Sequence, residues 1–166
     1  SLPWMSTRRL KVSALPMSLL TVIDNNVQTK SLSANNYEDV KEKIEISEGW
    51  KVKTSLIGRA IIESDTATTT VDKNAEITIQ KQSQDGTTKI QLTLGNLWAV
   101  VRKILDHPAN YQVQTSNAVA TVRGTSFGVW YLNGVSIIIV YESSVWVLSI
   151  NPTTGQYTFT PQTGFT

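Results

Sequence analysis

Few side chains in this sequence could carry a reaction. The chain of 166 residues has one histidine, His107, and no cysteine. It therefore cannot assemble within itself a Ser-His-Asp relay, a histidine metal cluster, a thiolate zinc site or a thiol nucleophile. Carboxylates that could act as a general acid and base stand close in sequence as Glu63 with Asp65 and as Asp72 with Glu76. Each pair sits among Thr and Lys at apparent strand ends, so surface placement explains them better. Asp72-Lys-Asn74-Ala-Glu76 sets oxygen-bearing side chains at alternate positions, as a calcium loop does, but lacks the central Gly and closing Glu of an EF-hand. It reads as an Asp-Asn turn entering a strand. Gly58, Gly95 and Gly124 are isolated and make no phosphate cradle. The expectation is no enzyme, no metal and no cofactor.

Recognition is the better prospect. Beyond Asp106 the only charged side chains are Arg123 and Glu142. Arg123 could contact a ligand or partner, or be held by Glu142 or by backbone carbonyls, since a buried guanidinium must be paired. The structural role is favoured, and it predicts an Arg123–Glu142 ion pair. Five tryptophans, Trp4, Trp50, Trp98, Trp130 and Trp146, suit sugar stacking but more often fill a core or an interface. Trp130 and Trp146 fall on the opposite parity from Phe127, Val129, Val145 and Val147. That marks a second apolar face, to be covered by the amino-terminal segment, another chain or a ligand. Trp130, Trp146 and Trp4 are thus the candidate partner contacts.

The elements that must position these residues centre on Ala118 to Phe127, Ala-Val-Ala-Thr-Val-Arg-Gly-Thr-Ser-Phe. Small and β-branched residues lead to Val122, then come Arg123, Gly124, Thr125 and the aromatic Phe127: a strand, a sharp feature and a strand again. With Thr115 ahead of it, this order resembles the Val-Arg-Gly-Thr-x-Phe core of the FecR domain family. The flanks follow in the family's order, with Gly49, Thr54, Gly58, Arg59 and Ala60, then Asp72, Asn74 and Ile77, then Leu92, Gly95 and Trp98. After the core, Glu142 is followed by Ser143 where the family prefers Gly, while Val145 and Val147 keep their places. The resemblance spans about Gly49 to Leu148.

It implies a non-catalytic β domain facing outward from the cytoplasm, with Arg123, Gly124, Thr125, Phe127 and Glu142 as its structural motif. In signalling proteins such a domain receives a signal from an outer-membrane receptor, while a separate cytoplasmic segment controls a sigma factor across a membrane helix. In secreted and surface proteins it serves as a β building block.

Composition agrees with a binding or structural role. A net charge of +2, with basic and acidic residues intermingled, argues against nucleic acid. The last sixty residues are nearly uncharged and rich in Thr, Ser, Asn, Gln and Tyr, which suits an exported or assembled protein better than a free cytosolic one. Val135 to Tyr141 is the longest apolar run and has the length of a strand, not of a membrane span. Arg8, Arg9 and Lys11 precede a short apolar run broken by Pro16, which reads as a mature arm in preference to a signal sequence.

Along the chain, residues 1–48 read as an amino-terminal β extension. Leu10 to Leu15 and Ser18 to Ile23 read as two short strands or one strand broken at Pro16, Asp24-Asn25-Asn26 is a turn, and Val27 to Lys30 can pair back as a hairpin. The charge-dense Glu38 to Ile46 fits a helix on the stripe Tyr37, Val40 and Ile44 or a strand, with a short helix slightly favoured. From Gly49 the periodicity is two. Trp50–Thr54, Arg59–Glu63, Thr68–Val71, Ala75–Lys81 and Thr88–Leu94 are strands bounded by turn residues. Asp85-Gly86 closes a hairpin that sets Ile77 and Ile79 against Ile90 and Leu92. Asn96 to Ile104 fits helix or strand by pattern, and the resemblance makes it strand. Asp106-His107-Pro108 is a break, and Tyr111–Gln114 resumes the sheet. Phe127–Leu132, Val135–Glu142 and Val145–Leu148 form a meander turned by Asn133-Gly134, whose middle strand, apolar on both faces, should be central and covered. Residues 49–150 are the FecR-like domain and 151–166 a carboxy-terminal strand and tail.

The expected fold is all-β, an antiparallel FecR-like sandwich or partly β-helical sheet with at most one short helix. The expected function is, first, a structural subunit of an extracytoplasmic assembly, a filament included, in which Ser1 to Ile23 or Gly155 to Thr166 adds a strand to a neighbouring copy. Second comes a periplasmic module that binds a receptor domain through an exposed strand edge. Third comes a carbohydrate- or cell-wall-binding module.

Overall fold

The computed structural model describes residues 16–102, 110–141, 144–150, 153–154 and 157–163. Among them every regular element is a strand. Period-two burial explains why: in β5 (Lys51–Thr54) and β7 (Ala67–Val71), buried Val52, Thr54, Ala67, Thr69 and Val71 alternate with residues that reach solvent.

The strands form two sheets that share one strand. The first runs β4 (Lys43–Ile46), β1 (Ser18–Asp24), β6 (Arg59–Glu63), β7, β9 (Thr88–Val101), β12 (Ser126–Leu132), β13 (Val135–Val140). The second runs β3 (Glu38–Val40), β2 (Val27–Lys30), β5, β8 (Glu76–Gln82), β9, β10 (Tyr111–Gln114), β11 (Ala118–Val122), β14 (Ser144–Ile150), β15 (Tyr157–Thr163). All pairings are antiparallel except β9 with β10, where Val113 lies opposite Ile90.

β9 belongs to both layers because it turns a corner at Gly95. Its first half pairs with β8 and β10, its second half with β7 and β12. Gly95 has φ +87°, and a Cβ there would lie 2.6 Å from the Asn74 carbonyl oxygen and 2.7 Å from Ala75. Only glycine permits this bend at this closeness. The β7–β8 turn crossing the corner is fastened by Thr54, whose hydroxyl donates to the Asp72 carbonyl at 2.6 Å and accepts from the Ala75 amide at 2.9 Å.

The inner faces meet in one core. Leu20, Leu97 and Phe127 from the first sheet pack with Val52, Ile77 and Leu92 from the second. Tyr111 joins the layers: its ring meets Phe127 edge to face at 5.7 Å and its hydroxyl bonds Thr69 at 2.6 Å. Burial pushes this phenol far above its ordinary pKa, so it stays a neutral hydroxyl and can serve as that bridge.

Several sequence expectations hold. β8 and β9 form the predicted hairpin, with Ile77 opposite Leu92 and Ile79 opposite Ile90. Asn133 and Gly134 both have positive φ, 50° and 76°, the geometry of a type I′ turn.

Others are corrected. Glu38 to Ile46 is not a helix but two strands, β3 and β4, one in each sheet. Cross-strand partners outweigh the weak helical stripe, since Ile44 lies opposite Leu20 and Val40 opposite Val27. β2 does not fold back on β1; it pairs with β3 and β5 in the other layer. β12, β13 and β14 are not a meander, because β14 pairs with β11 and β15. β13 is not central: among the described residues it pairs with β12 alone and ends its sheet. The predicted break at 106–108 lies outside the described residues.

Candidate functional site

The Val-Arg-Gly-Thr-x-Phe stretch is the second corner between the layers. β11 ends in the second sheet at Val122 and β12 begins in the first at Ser126, with Gly124 between them at φ +63°. Val122 and Phe127 point into the core at 1% and 0% exposure. Thr125 is buried too, and its carbonyl accepts from the Val101 amide at 2.9 Å. Arg123 is exposed, and its Nε donates to the Asn110 side-chain oxygen at 2.8 Å. Asn110 in turn accepts from the Thr88 amide at 2.9 Å through its carbonyl. Arg123 thus steadies the start of the parallel β9–β10 pairing. Its expected partner Glu142 lies outside the described residues, as does Trp4; Trp146 is placed by its backbone in β14, opposite Thr121.

The carboxylates named from sequence are not arranged for catalysis. Glu63 and Asp65 are both exposed. Asp72 Oδ1 accepts from Arg59 Nε and Nη2 at 3.2 and 3.1 Å and from the Lys73 amide at 2.8 Å. Partial burial pushes the Asp72 carboxyl up, but these donors win and hold it below the ordinary carboxylate range. Glu76 accepts from the Tyr37 hydroxyl at 3.3 Å. Among the described residues no group of three or more histidines or carboxylates could hold a metal ion.

The feature that invites a partner is the outer face of β9, β12 and β13. Register places Trp98 opposite Gly128 and Gly128 opposite Ile139, with Trp130 opposite Ile137 in the next row. Trp98 and Trp130 meet edge to face at 6.4 Å, and Trp98 meets Tyr141 at 4.2 Å. The rings close over Gly128, where a Cβ would lie 2.5 Å from Trp130 and 2.6 Å from Trp98. Asn96, in the amide orientation its neighbours demand, accepts from Trp130 Nε1 at 2.8 Å. Beside the rings, Val135, Ile137, Ile139 and Tyr141 are 59, 53, 37 and 52% exposed. A cleft of about 170 Å³ separates this patch from the Arg59–Asp72 pair. Edge-to-face packing gives the two tryptophans no common flat platform for a sugar, and Trp50 packs against the core.

The sequence therefore located Trp130 on an apolar outer face but missed Trp98, Gly128 and the exposed half of β13. The available signal was the alternation Val135, Ile137, Ile139, Tyr141 in a run without a charge. By pattern alone that alternation reads as a second buried face.

Known proteins resemble this architecture. A structure from Parabacteroides distasonis ATCC 8503, named as a candidate anti-sigma factor, aligns with a TM-score of 0.50 at 13% identity, over 69% of this chain and 60% of that one. A second structure from the same organism with the same description aligns at 0.37 and 14% identity, over 87% of this chain and 61% of that one. This chain thus spans about three fifths of the length of either protein. No curated protein matches it in sequence. No helix among the described residues is long and apolar enough to cross a membrane. The profile of the family described as FecR protein matches residues 51–146, more than half of the chain and nearly the span that its motifs marked out, and the chain belongs to that family.

Proposed function

We propose that this chain is the non-enzymatic, extracytoplasmic receiving module of a regulator of the anti-sigma type, a protein-binding β domain whose occupancy is relayed to a sigma factor. The family match over residues 51–146 carries this reading. The likeness in fold to a protein named as a candidate anti-sigma factor supports it. So does the chemistry of the surface, in which paired carboxylates are exposed or tied to Arg59 and Tyr37 while apolar side chains stand open on β13. The self-assembling filament subunit, placed first from sequence, draws no support from the comparisons. A receptor domain outside the cytoplasm is the partner class this reading requires.

The test is an in-frame deletion of residues 51–146 in the native gene, followed by transcript profiling. A set of promoters served by one alternative sigma factor should change together. An unchanged profile, with and without stress on the cell envelope, would sink the proposal.

A further inference from the structure

The free edge of β13 has a defined hydrogen-bonding face. The type I′ turn sets Leu132 opposite Val135, and antiparallel pairs alternate, so Val135, Ile137 and Ile139 direct their backbone groups at β12. The Tyr141 amide keeps this alternation, donating to the Ser126 carbonyl at 2.9 Å. Ser136, Ile138 and Val140 therefore direct their amides and carbonyls away from the sheet, where no described strand pairs with them.

The hairpin is held in place from inside. The Thr115 hydroxyl bonds Ser136 Oγ at 2.6 Å, Asn117 Nδ2 donates to the Gly134 carbonyl at 2.7 Å, and Ser116 Oγ bonds the Tyr131 hydroxyl at 2.5 Å. An edge fixed in this way loses little freedom on docking.

We propose that β13 pairs with β13 of a second copy of this chain, antiparallel about a two-fold axis through Ile138, so that the first sheet continues from one copy into the other. Complementarity selects a second copy as occupant. In this register Ile138 faces Ile138 and Ser136 faces Val140 of the second copy, which brings the free amides and carbonyls together. On the outer face Ile137 then meets Ile139 and Val135 meets Tyr141, apolar against apolar throughout. Val135 to Tyr141 contains no charged residue, so the two copies meet without repulsion.

The other described edges are poor partners for β13. β4 carries exposed Lys43 and Glu45, β3 is three residues long with Glu38 and Asp39, and β15 contains Pro161. Pairing of like edges closes after two copies, whereas β13 on β4 would run on as an open polymer. The inference does not depend on the sensor reading and leaves that reading intact if it fails.

The 166-residue chain should sediment as a concentration-dependent dimer, and Ile139→Lys should weaken association by about thirtyfold or more while leaving the circular dichroism spectrum unchanged. Because the chain has no cysteine, Ile137→Cys and Ile139→Cys can be made singly and mixed. The mixture should form a disulfide-linked dimer at least about tenfold faster than either variant alone, since only unlike positions face each other. A monomer at every concentration, or cross-linking no faster in the mixture, would overturn the proposal.

Discussion

The first sheet ends in two unlike strands. At one end β4 is four residues long, and Lys43 and Glu45 alternate along it with Ile44 and Ile46, whose side chains turn inward. At the other end β13 is six residues of Val, Ser and Ile, exposing Val135, Ile137 and Ile139. Among the described residues both are equally open in hydrogen-bonding terms, each paired on one side only. Charge on an edge strand raises the cost of adding another strand, because an incoming chain must strip water from the ammonium or carboxylate. β4 is thus guarded and β13 is not. The difference teaches that an exposed edge is a matter of side chains as much as of topology.

The contrast can be attacked at several depths. Phe127→Ala removes the aromatic wall behind β12, where Phe127 lies opposite Val140 and against Tyr111, and should cost about 3–5 kcal/mol in urea denaturation. If the loss were below about 1 kcal/mol, the β13 end of the sheet would be less firmly packed than the full burial of Phe127 implies. Gly128→Val drives a side chain into Trp98 and Trp130 and should cost about 1–3 kcal/mol, with a changed near-ultraviolet spectrum as the rings separate. An unchanged spectrum would mean that the rings do not close over that glycine.

Exchanging the guards tests the comparison itself. Lys43→Val with Glu45→Val should make β4 associate, with stability altered by no more than about 0.5 kcal/mol, as read by light scattering and thermal melting. Failure of the double variant to associate would show that charge is not what keeps β4 apart. The smallest effect belongs to the Arg59–Asp72 pair. Asp72 is depressed in the folded state, so its contribution is present above the unfolded carboxylate pKa and is lost as pH falls through the folded value. The groups are partly exposed, so no more than about 1 kcal/mol is at stake after solvent screening. Asp72→Asn should remove that acid-side slope from the stability–pH curve, and a curve unchanged by the substitution would assign the slope to other carboxylates.

Much of the fold was legible because period two is a local signal. Arg59 to Glu63 is β6 to the residue, and the hairpin at Asp85-Gly86 has its predicted register. What failed was pairing over distance. Glu38 to Ile46 offered a helical stripe and a strand pattern of nearly equal strength, and the choice was made by Leu20 and Val27, both far away in sequence. β13 failed for a different reason. An apolar residue at every second position means a face that avoids water, and the sequence does not say whether the cover lies in the same chain. Ile138 and Val140 find it in the core; Ile137 and Ile139 do not. The signature around Arg123 was recognised from its order of residues, yet its physical reason, a corner between layers with Phe127 and Tyr111 beneath it, is visible only in three dimensions.

β9 gives the molecule one mechanical consequence. A strand common to both layers acts as a shared spar, so neither layer can peel away while the other stays whole, and the domain should yield to heat or tension as a single body. The aromatic end of that spar beyond Gly95 and its far end, where Arg123 and Asn110 brace the parallel strand, thus lie on one continuous backbone.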